Sequence, residues 1–278
     1  MAGRVEGKVA FITGAAHGQG RSHAIRLAQE GADIVAVDLC QDYDTVGYPM
    51  GTQEELDQTV KAVEALDRRA VKIVADVRDP NAMAAAFETG IAELGKVDVI
   101  CANAGIASYA AEQTRQHYID VLNVNLVGVI NTVLAGLPHL PRGGSVIVTG
   151  SLAALLKGGI GESGSAYTLA KRSLVPFVQA TAAAVAKEFI RVNGVHPTNC
   201  NTDLLQNDGL YRIFRPDLEN PTREDAAPAM ATLQQMPVPW IEPEDVSELV
   251  LFLASDASKY LTGQFINCDA GGHLKTLD

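Results

Sequence analysis

Short apolar runs alternate along the chain with longer stretches of helical period. The runs at residues 9–12, 34–37, 71–74, 97–100, 145–148 and 191–195 are rich in Val and Ile and predict strands. Between them, apolar positions spaced for a helix face predict helices near 22–30, 53–66, 81–94, a long stretch ending about 137, and 171–188. Strands separated by helices imply βαβ units and an α/β fold, a doubly wound parallel sheet with helices on both faces. Strands covered on both faces read as continuous apolar runs rather than alternating ones, as these do. No linker or repeat interrupts the sequence, so a single domain over 1–278 is expected. The stretch 199–240, with Pro216, Pro221, Pro228, Pro237 and Pro239, differs from the rest. It reads as a connector or, preferably, as a lid over a site, because long insertions in compact domains tend to be functional.

Composition narrows the function classes. Of 278 residues, 47% are hydrophobic and 20% charged, which is globular and excludes wholesale disorder. Against 33 acidic side chains stand 22 basic ones, a net charge of −11, so a phosphate-backbone binder is not expected. No uninterrupted run of about 18 apolar residues occurs, so no membrane span is expected, and the first residues lack the apolar core of a leader. Cys40, Cys101, Cys200 and Cys268 are far apart, with no CxxC pair and no His/Cys metal spacing. Reduced thiols, a cytoplasmic location and no metal are the expectation.

The chemistry starts after the first strand. Gly14, His17, Gly18, Gln19 and Gly20 form a glycine-rich turn that opens the first helix, where backbone N–H groups meet a pyrophosphate. Asp38 ends the second strand at the separation expected of a carboxylate that binds the adenosine ribose, and it repels a 2′-phosphate; NAD is therefore favoured over NADP. His17 and Arg21 lie either against phosphate or in solvent. Tyr167 and Lys171 stand four apart in a helical stretch and so share a face, where an ammonium is expected to lower the tyrosine pKa.

Thr13-Gly-x-x-x-Gly18-x-Gly20, Asn103-Ala104-Gly105 and Tyr167-x-x-x-Lys171, in this order, resemble the short-chain dehydrogenase/reductase family over essentially the whole chain. The resemblance implies a Rossmann-type fold and an NAD-dependent interconversion of a secondary alcohol and a ketone. It assigns Tyr167 as general acid/base, Lys171 as its partner and a ligand of the nicotinamide ribose, Ser151 as hydrogen-bond donor to the substrate oxygen, and Asn125 as holder of a relay water. Asn123 is the rival for Asn125, and Ser163 and Ser165 are the rivals for Ser151. For the cofactor it adds Leu39, Asp76 and Val77 near the adenosine, Asn103, Ala104 and Gly105 at the ribose, and Pro197, Thr198, Cys200 and Thr202 at the nicotinamide.

Residues 39–52 form an insert beside Asp38 longer than a helix entry needs. With Tyr48-Pro49 and His196-Pro197-Thr198 it resembles the carveol-dehydrogenase-like, mycofactocin-coupled subgroup. That likeness implies tightly held NAD, an apolar terpenoid-like alcohol, electron exit through an external redox carrier and a homotetramer. His17 and Asp203 depart from the subgroup pattern. An ordinary NADH-exchanging ketoreductase is the alternative; a nucleotide sensor that performs no reaction, and an enoyl reductase, rank lower.

Overall fold

The computed structural model describes residues 3–110, 112–156 and 165–276. Seven strands, β1 (Val9–Thr13), β2 (Asp33–Asp38), β3 (Ala70–Val74), β4 (Val99–Ala102), β5 (Ser145–Thr149), β6 (Arg191–Pro197) and β7 (Phe265–Cys268), form one sheet. Their spatial order is β3-β2-β1-β4-β5-β6-β7, and every pairing is parallel. The order reverses between β1 and β4, and the crevice beyond the carboxyl ends of strands at such a reversal is where α/β sheets bind ligands.

Successive strand residues face opposite sides, and both sides are buried. Phe11, Val35, Val37, Ile100, Val146 and Val148 enter one core with Phe87, Leu174 and Val178. Ala10, Ile12, Ile34, Ala36, Val99 and Ile147 enter the other with Leu27, Leu56 and Leu251. The first core is covered by α3 (Pro80–Leu94), α4 (Arg115–Leu122), α5 (Val129–Gly136) and α6 (Ser165–Val185); the second by α1 (Gly18–Gln29), α2 (Gln53–Glu64) and α9 (Pro243–Ala254). Local signals set the ends: Thr52 and Glu55 form a capping box on α2, Asp79 caps α3 ahead of Pro80, and Gly95 closes α3 at φ 89°.

The long helical stretch is α4 and α5 joined by a π-helical turn, Asn123–Gly128. Residues 115–139 together are long and apolar enough to cross a bilayer by length and composition, which corrects the expectation that no segment qualifies. Counting uninterrupted apolar runs missed a helix whose few polar residues are scattered. In the fold, Val121, Val124, Val129 and Val133 of this run pack into the sheet core.

Two segments outside this scaffold shape the crevice. The insert 39–52 is anchored at several points: Cys40 N–H to Asp38, Met50 N–H to Asp42, Thr45 Oγ1 to Asp120, and Tyr48 Oη accepting from Ala107 N–H at 2.9 Å. The stretch 199–240 carries two helices that periodicity did not reveal, α7 (Asp208–Phe214) and α8 (Arg223–Ala231), capped by Asn207 and Thr222. Leu205, Leu210, Tyr211, Ala226 and Met230 make a small core of their own there. All four cysteines are free.

Candidate active site

The β1–α1 turn is built for close approach. Gly14 and Gly18 have φ of 70° and 53°, and a Cβ on Gly20 would fall 2.0 Å from the Gly14 carbonyl oxygen. The residue at the cap position of α1, His17, makes no side-chain capping bond, so no side chain caps the first-turn N–H groups, and Gly18, Gln19 and Gly20 of that turn line the cavity. His17 Nδ1 instead lies 3.2 Å from Asp203 and 3.9 Å from Glu55. Arg21 is turned away, donating to Thr59 and to the Ala16 and Glu55 carbonyls, which settles its sequence alternatives against a phosphate contact.

Asp38 accepts from Ala16 N–H and Cys40 N–H at 3.0 Å each, which fixes its carboxylate at the cavity edge. Asp76 accepts from the Arg78 backbone and guanidinium, and that guanidinium lies 4.7 Å from the Tyr43 ring centroid. Asn103 ties strands together, donating to Thr13 O and accepting from Thr149 Oγ1. Uncapped helix amides, left-handed glycines and a ribose-range carboxylate in one crevice fit a dinucleotide without a 2′-phosphate.

At the other end, Lys171 is buried and donates to Thr149 O at 2.7 Å. Its Nζ lies 5.6 Å from the Tyr167 ring centroid. Burial lowers the Lys171 pKa to about 8. Burial also raises the Tyr167 pKa, against a lowering hydrogen bond from Ser151. This direction is opposite to the lowering expected from a nearby ammonium: desolvation of the phenolate outweighs the hydrogen bond from Ser151. Ser151 has extended backbone, φ −171°, and its Oγ accepts from Ala153 N–H at 3.1 Å, which leaves its own proton to give.

Asn125 lies on the π turn and is fully buried, its side chain spent on Ile106: Oδ1 accepts from Ile106 N–H at 2.8 Å and Nδ2 donates to Ile106 O at 2.7 Å. Gly105 sits between Asn125 and Lys171; a Cβ there would stand 3.4 Å from Oδ1 and 3.5 Å from Nζ. Thr202 rests on Gly18, Cys200 pairs with Ile241 in an isolated bridge, and Thr198 accepts from Gln234 at 2.7 Å. Gln19, Leu39, Val77, Ala104 and Pro197 line the same cavity. Among the described residues, Asn125 and its rival Asn123 do not line it. Ser163 and the side chain of Ser165 lie outside the described residues.

The cavity also collects side chains that sequence reading did not assign: Tyr43, Tyr48, Tyr109, Leu152, Leu156 and Thr149. Tyr48 and Tyr109 face each other at 6.3 Å between ring centroids. The insert and the loop after β4 meet there only through folding. Of these, Tyr43 and Tyr48 had a sequence signal, their place in the insert 39–52.

Comparison with known proteins agrees with this geometry. Residues 14–273 match the family model described as enoyl-(acyl carrier protein) reductase. A (−)-trans-carveol dehydrogenase of Rhodococcus erythropolis is 48% identical over 98% of this chain and 99% of its own. The chain belongs to the short-chain dehydrogenase/reductase family. Among solved structures of this family, carveol dehydrogenase from Mycobacterium avium in complex with NAD superposes with TM-score 0.93 at 44% identity, covering 98% of this chain and 99% of that one. A short-chain dehydrogenase from Mycobacterium paratuberculosis bound to NAD gives 0.88 at 38%, covering 98% and 100%.

Proposed function

We propose that this short-chain dehydrogenase/reductase binds NAD and interconverts an apolar secondary alcohol, carveol-like or terpenoid-like, with its ketone. The observation that carries the reading is the meeting of Tyr167, Ser151 and Lys171 with Asp38 and the uncapped start of α1 in one cavity. NAD, when bound, supplies the acceptor or donor of hydride. Tyr167 takes the hydroxyl proton of the alcohol, or returns it to the ketone, while Ser151 Oγ donates to the substrate oxygen as its charge develops. Lys171, held at the Thr149 carbonyl, sustains proton exchange behind the tyrosine. Asn125 holds the loop after β4 in place through Ile106. The substrate end is walled by Leu152, Leu156, Leu205, Leu210, Ile213 and Phe214, which favours a neutral apolar molecule over a charged one.

Tight retention of NAD is part of the proposal, supported by the insert: Tyr48 reaches Ala107, and Gly51 lies so close to Ala16 that a Cβ would stand 2.7 Å from it. Electrons then leave through an external, mycofactocin-like redox carrier. The protein is taken as a cytoplasmic homotetramer, in keeping with its free thiols and the outward apolar side chains Val127, Leu134 and Leu169. The test is an exchange experiment. Protein incubated with excess isotopically labelled NAD, washed and denatured is expected to release unlabelled nucleotide, and a second, native sample without added NAD is expected to oxidise secondary alcohols with an artificial electron acceptor. Rapid replacement by the label leaves a conventional NADH-exchanging dehydrogenase. No reduction of bound NAD across a broad alcohol panel defeats the enzymatic reading.

A further inference from the structure

β5 and β6 run side by side until Gly150 N–H donates to Val195 O at 2.8 Å. One residue later the ladder stops, and Ser151 N–H donates to a side chain instead, Nδ1 of His196, at 3.0 Å. His196 is buried on β6, its ring stacked on Phe265 at 4.2 Å between centroids and 14° between planes. Two glycines clear the slot. A Cβ on Gly150 would stand 2.3 Å from His196 Nδ1, and one on Gly194 would stand 2.1 Å from the Phe265 ring.

Because Nδ1 accepts a hydrogen bond, the neutral ring carries its proton on Nε2. That Nε2 is buried and has no partner among the described residues. A buried polar atom without a partner is costly, and an apolar residue would fill the slot without that cost. The compensating contact is the one on the other nitrogen, directed at the backbone of Ser151. Burial and the positive charge of Lys171 lower the His196 pKa to about 4, with Asp269 opposing, so Nδ1 stays an acceptor throughout the neutral range.

We propose that His196 is a positioning residue for the reaction: its Nδ1 accepts the Ser151 N–H just beyond the end of β5 and holds Ser151 in the extended backbone that presents Oγ to Tyr167. The proposal rests on the role given to Ser151 above. It acts only through the serine and touches neither substrate nor cofactor.

His196→Leu removes the acceptor. It is expected to lower kcat about 10- to 100-fold, as a displaced catalytic group does, with KM and NAD retention changed less than about threefold. His196→Asn, which offers an amide oxygen near the Nδ1 position, is expected to keep kcat within about fivefold. In a Ser151→Ala background, His196→Leu is expected to change kcat less than about twofold, since two residues acting as one unit do not add. Equal losses in the Leu and Asn variants, or a full further loss in the Ser151→Ala background, overturn the proposal. Nitrogen NMR of the wild-type histidines gives a check that needs no variant: the Nε2–H tautomer is expected for His196, and the Nδ1–H tautomer overturns it. Retained turnover in Ser151→Ala alone would sink the serine assignment instead, whatever the tautomer.

Discussion

Tyr167 and Lys171 lie one helical turn apart, and burial acts on both in opposite directions: it raises the phenol and lowers the ammonium. Tyr167→Phe is expected to cut alcohol oxidation roughly 100- to 10,000-fold, the range of a lost general acid/base, while the amount of NAD released on denaturation stays unchanged. Lys171 carries a stability cost as well. Its folded pKa, about 8, lies below the ordinary lysine value, so between these pH values the unfolded chain holds more protons. Stability therefore rises with pH above 8, and below 8 the buried charge costs about 3 kcal/mol. Lys171→Met also leaves Thr149 O without its donor, so a net gain of about 2 kcal/mol is expected at pH 7. Thermal denaturation of the nucleotide-free variant should show this as a Tm rise of about 3–6 °C with turnover lost. The spacing of Tyr167 and Lys171 was legible in the sequence because both lie on one helix. The contact of His196 with Ser151 was not, since it joins two strands 45 residues apart.

At the scale of elements, the insert 39–52 and the cover 199–240 both wall the crevice and adjoin each other around Tyr109. Tyr48→Phe removes the acceptor of Ala107 N–H, and Gly51→Val drives a side chain into Ala16. Each is expected to speed release of unlabelled NAD at least about tenfold, with the Tyr167 chemistry unchanged in a single turnover; release at the wild-type rate would remove the insert from the retention mechanism. Strands were readable because a run such as Val9–Thr13 is buried on both faces and needs apolar residues throughout. The helices α7 and α8 were not, being seven and nine residues long with mixed polar sequence. Their helical form rests on the caps Asn207 and Thr222 and on a local core that exists only once the chain returns to the sheet. For α9, Pro243, Glu244 and Asp245 are ordinary start signals, present in the sequence and passed over.

For the whole molecule, the acidic balance of −11 and the parallel sheet were readable from composition and order, whereas association depends on surface shape that a one-dimensional pattern does not carry. Leu134 and Leu169 are about half exposed on the face made by α5 and α6. If that face joins the copies of the proposed homotetramer, Leu169→Glu paired with Leu134→Glu should lower the light-scattering mass to one or two chains. An unchanged mass would move the interface elsewhere.

The cover segment holds its own apolar cluster, separate from the two that flank the sheet. With the substrate seated as proposed, the scaffold and the selectivity of the enzyme rest on different sets of side chains, which makes the protein a favourable starting point for retuning. A library randomised at Leu204, Ile213 and Phe214, which line the cavity yet lie outside the buried residues of all three clusters, should return mostly folded, NAD-binding variants that differ in which alcohol they accept. Such a partition lets new specificities arise by small steps without endangering the fold that carries the chemistry.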